Sequence, residues 1–144
     1  MMGVQIQGRL TDGVTASHKH GPSGDTLATT APKDNGGTGE HFSPTDLLTT
    51  GYAACTMTIM ALWARPRGYN LDCSTYSIEK LMSAETPRRI AGLPMTVQVP
   101  DDIPVDERPS LESAAKACPV ALSIHPDIDT GLTFEYVPRE SLQG

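Results

Sequence analysis

The chain has 144 residues, of which 38% are hydrophobic and 19% charged, and its net charge is -6. That composition fits one globular domain, residues 1–144, with a thin core, and the acidic balance argues against non-specific nucleic-acid binding, which needs a basic footprint. No basic, apolar leader opens the chain, so a cytoplasmic protein is expected. Three cysteines in that compartment point to thiol chemistry or plain burial rather than to a disulfide scaffold.

Residues 1–10 alternate weakly through Val4, Ile6 and Leu10, which predicts an edge strand. Residues 11–13 read as a turn and 14–17 as a return strand. Residues 18–24 read as a loop or tight hairpin, and 27–30 as a third, β-branched strand. The stretch APKDNGGTGEH at 31–41 reads as a flexible loop. It lacks the Gly-Lys-Ser/Thr ending of a P-loop.

Residues 43–68, SPTDLLTTGYAACTMTIMALWARPRG, form the only long, apolar, helix-compatible run. Ser43 suits the cap, Pro44 the first helical position and Asp46 the acidic place of a capping box. Arg65, Pro66 and Gly68 mark the stop. No charge falls between Leu47 and Ala64. Because this helix is apolar or small almost all round, it is expected to be covered on most sides. Its length and its Thr, Gly and Ala content argue against a membrane span.

Beyond it, 71–82 reads as one strand, 83–88 as a turn and 95–99 as a strand, with 89–93 leading into it. Residues 100–109 read as a Pro-rich connector and 110–117 as a second helix. A short helix is expected over 120–124 with Pro119 in its first turn. A final strand spans 132–137, followed by a frayed tail. Strands in adjacent runs predict an α+β fold with a long central helix packed on antiparallel sheets.

A lone cysteine on an apolar helical face is most often a small buried hydrophobe. Two features add to that reading. Gly51, Ala53 and Ala54 let another group approach the helix closely at Cys55, and Cys118 precedes an expected helix start whose amides favour a thiolate. Two thiols meeting across packed elements can cycle between sulfenic acid and disulfide. Cys73, on a predicted strand, reads as plain burial. A reactive thiol needs a cation; Arg9, His18, Lys19, His20, Arg88 and Arg89 are candidates that spacing does not place. His41 stands just before the helix cap and His125 just after Cys118, and both read as loop residues. Asp46 is the carboxylate available to hold such a cation, with capping as its simpler role. The spacings match no zinc pattern, and no cofactor is expected.

The blocks SPTDLLTTGYAAC at 43–55 and CPVALSIHPDI at 118–128 resemble the OsmC/Ohr family, the osmotically inducible and organic hydroperoxide resistance proteins. They correspond to that family's Pro-x-(Glu/Asp)-Leu…Cys helix and its later Cys-Pro-Val segment. GDTLATTAPKDNGG at 24–37 is similar to a separate OsmC-like branch. The resemblance implies an OsmC-like fold, an intertwined α+β homodimer with two long central helices between curved sheets. It implies Cys55 as the peroxidatic cysteine and Cys118 as the resolving one, a small hydroperoxide as substrate and a dithiol, lipoyl-like in one branch, as reductant. Arg9, in QGRLTDG, is the nearest match to the family's catalytic arginine. Where other members carry a glutamate ten residues before the first cysteine, this chain has Thr45, and Asp46 matches the acidic position of further branches. An alternative reading is a non-catalytic, stress-related dimer that binds a small apolar or electrophilic ligand near Cys55.

Overall fold

The structure, a computed structural model, describes residues 2–143. The chain divides into two compact units, Met1–Leu48 and Thr49–Gly144.

The N-terminal unit is an antiparallel meander of β1 (Ile6–Asp12), β2 (Thr15–His20) and β3 (Thr26–Thr30). Two expectations are corrected here. β1 starts at Ile6 and runs through Thr11 and Asp12, which the sequence placed in a turn; of the residues expected before it, Met1 lies outside the described ones. β2 continues past Ser17 to His20, because Gly8, Gln7 and Ile6 pair with His18, Lys19 and His20. Cross-strand pairing thereby overrides the loop character of a His-Lys-His run. The loop over 31–41 holds a 3-10 turn at Lys33–Asn35. Gly37 donates its N–H to the Pro32 carbonyl at 2.9 Å, and a Cβ there would collide with the Ala31 backbone, so glycine fits where others do not.

The long helix, α1 (Pro44–Ala64), begins as the sequence predicts. The Ser43 hydroxyl accepts the Asp46 N–H at 3.1 Å, and an Asp46 carboxylate oxygen accepts the Ser43 N–H at 2.9 Å, a reciprocal capping box. At its other end the helix tightens into a 3-10 turn, Arg65–Arg67, and stops at Gly68 in the left-handed region, φ 78°. The expected cover is corrected. Tyr52, Ala53, Thr56, Met60, Trp63 and Ala64 are buried, but Leu48, Gly51, Ala54, Thr58, Ala61 and Leu62 form an exposed line at helical spacing. With its 3-10 extension the helix has 24 residues, long and apolar enough to cross a membrane. Length therefore does not argue against a span; the burial of Met60 and Trp63 in the protein's core marks it as a core helix.

In the C-terminal unit, β7 (Met95–Pro100) lies between β4 (Thr75–Ile78) and β8 (Leu132–Val137). A small second sheet pairs β5 (Leu81–Met82) with β6 (Ile90–Gly92). The single strand expected over 71–82 is thus two: the Glu79 N–H still donates to the Pro94 carbonyl at 3.1 Å, in register with the β4–β7 ladder, but Pro94 has no N–H to return the bond, and the ladder lapses there. The sheet is mixed rather than antiparallel. β8 pairs with β7 in parallel, Met95 opposite Leu132, because the chain between them returns through α2 (Arg108–Lys116), and a helical crossover delivers a parallel strand. α2 starts two residues before the predicted helix, with Pro109 in its first turn. The core gathers Tyr52, Met60 and Trp63 of α1, Met95, Val97 and Val99 of β7, Ile103, and Leu111 and Ala115 of α2. The tail expected to fray, residues 138–144, is ordered over its described residues, Gly144 lying outside them. It forms a 3-10 turn, Arg139–Leu142, and the Arg139 guanidinium donates to both carboxylate oxygens of Asp102 (2.8 and 3.0 Å), to the Asn70 carbonyl (2.9 Å) and to the Cys73 sulfur (3.2 Å).

Candidate thiol site

Cys55 sits in the middle of α1, one turn after Tyr52 on the side of the helix facing the C-terminal core. Cys118 follows α2, where the helix gives way to a run of turns. The short helix expected over 120–124 does not form. Only two helical bonds close there, from the Leu122 N–H to the Cys118 carbonyl at 3.1 Å and from the Ile124 N–H to the Val120 carbonyl at 3.0 Å, and the chain then turns again at His125–Ile128. Pro119 fits the opening of such a turn because it has no N–H to satisfy.

The turns nevertheless deliver amides to sulfur. The Ala121 N–H donates to the Cys118 sulfur at 3.3 Å. The Val120 N–H donates to the Cys55 sulfur, and the Cys55 and Cys118 thiols are hydrogen-bonded to each other. Cys118 is fully buried and Cys55 half-buried, and all three cysteines are free thiols. Burial pushes the Cys55 thiol up from its ordinary range; the Val120 amide opposes this, and the adjacent Cys118 adds to it. The sequence did not show whether the two sulfurs meet; in the structure the Cys118 thiol adjoins that of Cys55. It does so in surroundings that favour the neutral thiol of Cys55.

Two neighbours escaped the sequence reading. Tyr52, 2% exposed, shares a hydroxyl hydrogen bond with Thr130, and burial, partly offset by that bond, raises its pKa, with Cys118 adding to the rise. The signal for Tyr52 was its place one turn before Cys55; nothing in the sequence marked Thr130. A cleft of about 360 Å³ opens here, lined by Tyr52, Lys116, Ala121, Thr130 and Leu132.

Asp46 is engaged in the helix cap. Arg9 lies on β1 opposite Ser17, in a shallow groove of the N-terminal unit with Gln7, Gly8, His18 and Lys19. The His18 ring shares a hydrogen bond with the Thr29 hydroxyl at 2.9 Å, and His20 one with Ser23 at 2.6 Å. Arg89 donates to the Ile90 carbonyl, and the His125 ring accepts the Asp127 N–H. Cys73 is half-buried under Arg139 rather than simply buried.

The sequence matches the family model described as OsmC-like protein over residues 37–133. The chain belongs to the OsmC-like family. Among solved structures, it is 32% identical to a relative from Psychrobacter arcticus described as an osmotic stress induced and detoxification response protein. That match covers 94% of this chain and 96% of the other at a TM-score of 0.84. Two organic hydroperoxide resistance proteins share the fold. One, from Legionella pneumophila, is 20% identical over 95% of this chain and 98% of its own, TM-score 0.72. The other, from Elizabethkingia anophelis, is 17% identical over 95% and 98%, TM-score 0.74. No curated protein matches the sequence.

Proposed function

We propose that the chain is a thiol-dependent hydroperoxide reductase that acts in the cytoplasm as a homodimer, with Cys55 as peroxidatic and Cys118 as resolving cysteine. The observation that carries this reading is the hydrogen-bonded pair of thiols, the more open one on the long helix and the other sealed behind it, each sulfur receiving a backbone N–H. Membership of the OsmC-like family and the detoxification role ascribed to the Psychrobacter relative support it.

In this mechanism the Cys55 thiolate attacks the outer oxygen of the hydroperoxide. The O–O bond breaks, the alkoxide takes a proton and leaves as an alcohol, and Cys55 is left as a sulfenic acid. The Cys118 sulfur then attacks the Cys55 sulfur, forming the disulfide and releasing water. A dithiol reductant, lipoyl-like in type, restores both thiols by exchange and is itself oxidised to a disulfide. The amides of Val120 and Ala121 stabilise negative charge on either sulfur while these bonds exchange. Ionising Cys55 against its buried surroundings requires a cation. Arg9 is our candidate for it, and Asp46 the carboxylate that orients it in addition to capping the helix.

The upward push on the Cys55 thiol favours one other reading, a dimer that binds an apolar or electrophilic ligand near Cys55 without turnover. Intact-mass measurement after exposure to an alkyl hydroperoxide separates the two. Loss of two hydrogens in a Cys55–Cys118 disulfide is the enzyme's outcome, and two unchanged thiols are the binder's. Cys55→Ser is expected to abolish peroxide turnover, and Cys118→Ser to accumulate a sulfenic acid that dimedone traps. Full activity in Cys55→Ser would end the peroxidase reading.

A further inference from the structure

We propose that the cleft beside Cys118 is a binding subsite for a small carboxylate, the polar end of a reagent whose other end reaches the thiol pair. Its volume, about 360 Å³, lies in the range that small-ligand sites occupy. Its chemistry is one-sided. The chain carries 17 acidic residues against 11 basic ones, yet no carboxylate lines this cleft, and a single cation, Lys116, does. Lys116 is exposed and makes no ion pair among the described residues. Its place in the last turn of α2 complements the helix dipole; that explains a lysine on this helix, but not the hydroxyl pair and apolar wall that meet it. The Tyr52 and Thr130 hydroxyls are hydrogen-bonded to each other and offer a donor to an incoming oxygen. Ala121 and Leu132 give a short carbon chain something apolar to lie on. A cation, a hydroxyl pair and an apolar wall together match a carboxylate on a short carbon chain.

The cleft is joined to the thiols through the backbone. Ala121 lines it and donates its N–H to the Cys118 sulfur. Cys118 itself is fully buried, so the cleft holds a reagent beside the redox pair without exposing the inner sulfur. What the carboxylate is attached to, the hydroperoxide or the thiol that reopens the disulfide, rests on the proposed peroxidase activity; the binding of a carboxylate does not.

The first test therefore needs no turnover. The Cys55→Ser/Cys118→Ser protein, in its intact assembly, is titrated calorimetrically with hexanoate and with hexanoate methyl ester. Hexanoate is expected to bind and the ester not to, with Lys116→Gln weakening hexanoate about three- to tenfold and Lys116→Arg restoring it. Equal binding of acid and ester, absence of hexanoate binding, or indifference to Lys116→Gln overturns the proposal. The second test finds the source. With both cysteines present, kcat/KM is compared for mercaptopropionate against mercaptoethanol, and for a fatty-acid hydroperoxide against its methyl ester. Lys116→Gln is expected to reduce the preference for the charged reagent in one of these pairs about three- to tenfold, and that pair names the source. An unchanged preference in both pairs contradicts a role for the cleft in catalysis. Hexanoate binding in a protein that turns over no hydroperoxide leaves the carboxylate site standing and ends the peroxidase reading instead.

Discussion

Met95, Val97, Val99, Ile103 and Leu111 of the C-terminal unit are all 1% exposed or less, whereas every residue of β1 in the N-terminal unit is exposed, Ile6 to 68% and Leu10 to 74%. The hairpin register puts Ile6 and Leu10 on the same face of the N-terminal sheet as Leu27, itself 49% exposed. The buried side chains of that unit are Thr29, Thr30 and Ser43, all polar. One unit thus carries a core that the chain closes by itself, and the other an apolar sheet face left in water. A three-stranded sheet of that kind is stable only when its apolar face is covered. The exposed line on α1 has the same character. Both surfaces are what the proposed homodimer would cover.

The largest effect expected from this contrast is on stability. Leu111→Ala removes a fully buried side chain from a closed core and should cost about 2–5 kcal/mol. Leu10→Asp should instead act on assembly. The wild-type midpoint of chemical denaturation should rise with protein concentration, as it does when folding is linked to association, and that dependence should vanish in Leu10→Asp, with sedimentation reporting a monomer. A Leu10→Asp protein that remains a dimer would show that the exposed hairpin face covers nothing.

The next effect joins the two units through pH. In the chain by itself burial pushes the Cys55 thiol up, so the nucleophilic thiolate is scarce at neutral pH and alkylation of Cys55 should still be climbing above the ordinary thiol range. A cation near the sulfur pulls in the other direction, by about one to three pH units. If Arg9 supplies it in the dimer, iodoacetamide should alkylate Cys55 along a profile that levels at lower pH in the wild-type dimer than in the Leu10→Asp monomer. Arg9→Met in the dimer should then follow the monomer's profile. Identical profiles in all three would remove Arg9 from the site.

Local pattern made part of this molecule readable. α1 was legible because capping, apolar content and stop residues agree along one stretch, and β8 because Leu132, Phe134 and Tyr136 alternate without interruption. Features decided by distant pairing were not. His18–His20 look like a loop until Ile6–Gly8 lie beside them. The parallel pairing of β7 and β8 depends on where the intervening helix packs, and the order of the tail depends on Arg139 meeting Asp102 across the unit. The site divides in the same way. Cys55 and Cys118 stand in recognisable blocks, while Thr130 and the amides of Val120 and Ala121 owe their places to turns that no spacing encodes. The missing helix over 120–124 illustrates this: its apolar content suits a helix, but Pro119 and Pro126 bracket too few residues to propagate one.

The smallest effect is the most discriminating for Asp46. This carboxylate starts, from the N-terminal unit, the helix that becomes the core of the other, and it has two candidate roles that ordinary substitution confounds. Asp46→Ala removes the acceptor for the Ser43 N–H and should cost about 1 kcal/mol in unfolding free energy. Any accompanying loss of activity would then be ambiguous. Asp46→Asn separates the roles, because a side-chain carbonyl oxygen still accepts the Ser43 N–H while the negative charge is gone. If the residue only caps the helix, the Asp46→Asn protein should stay close to wild type in both stability and peroxide turnover. If it also orients the activating cation, the same substitution should leave stability intact but lower kcat/KM and move the Cys55 alkylation profile to higher pH. The second pattern is the one our reading requires, and wild-type kinetics in the asparagine variant would return Asp46 to the cap alone.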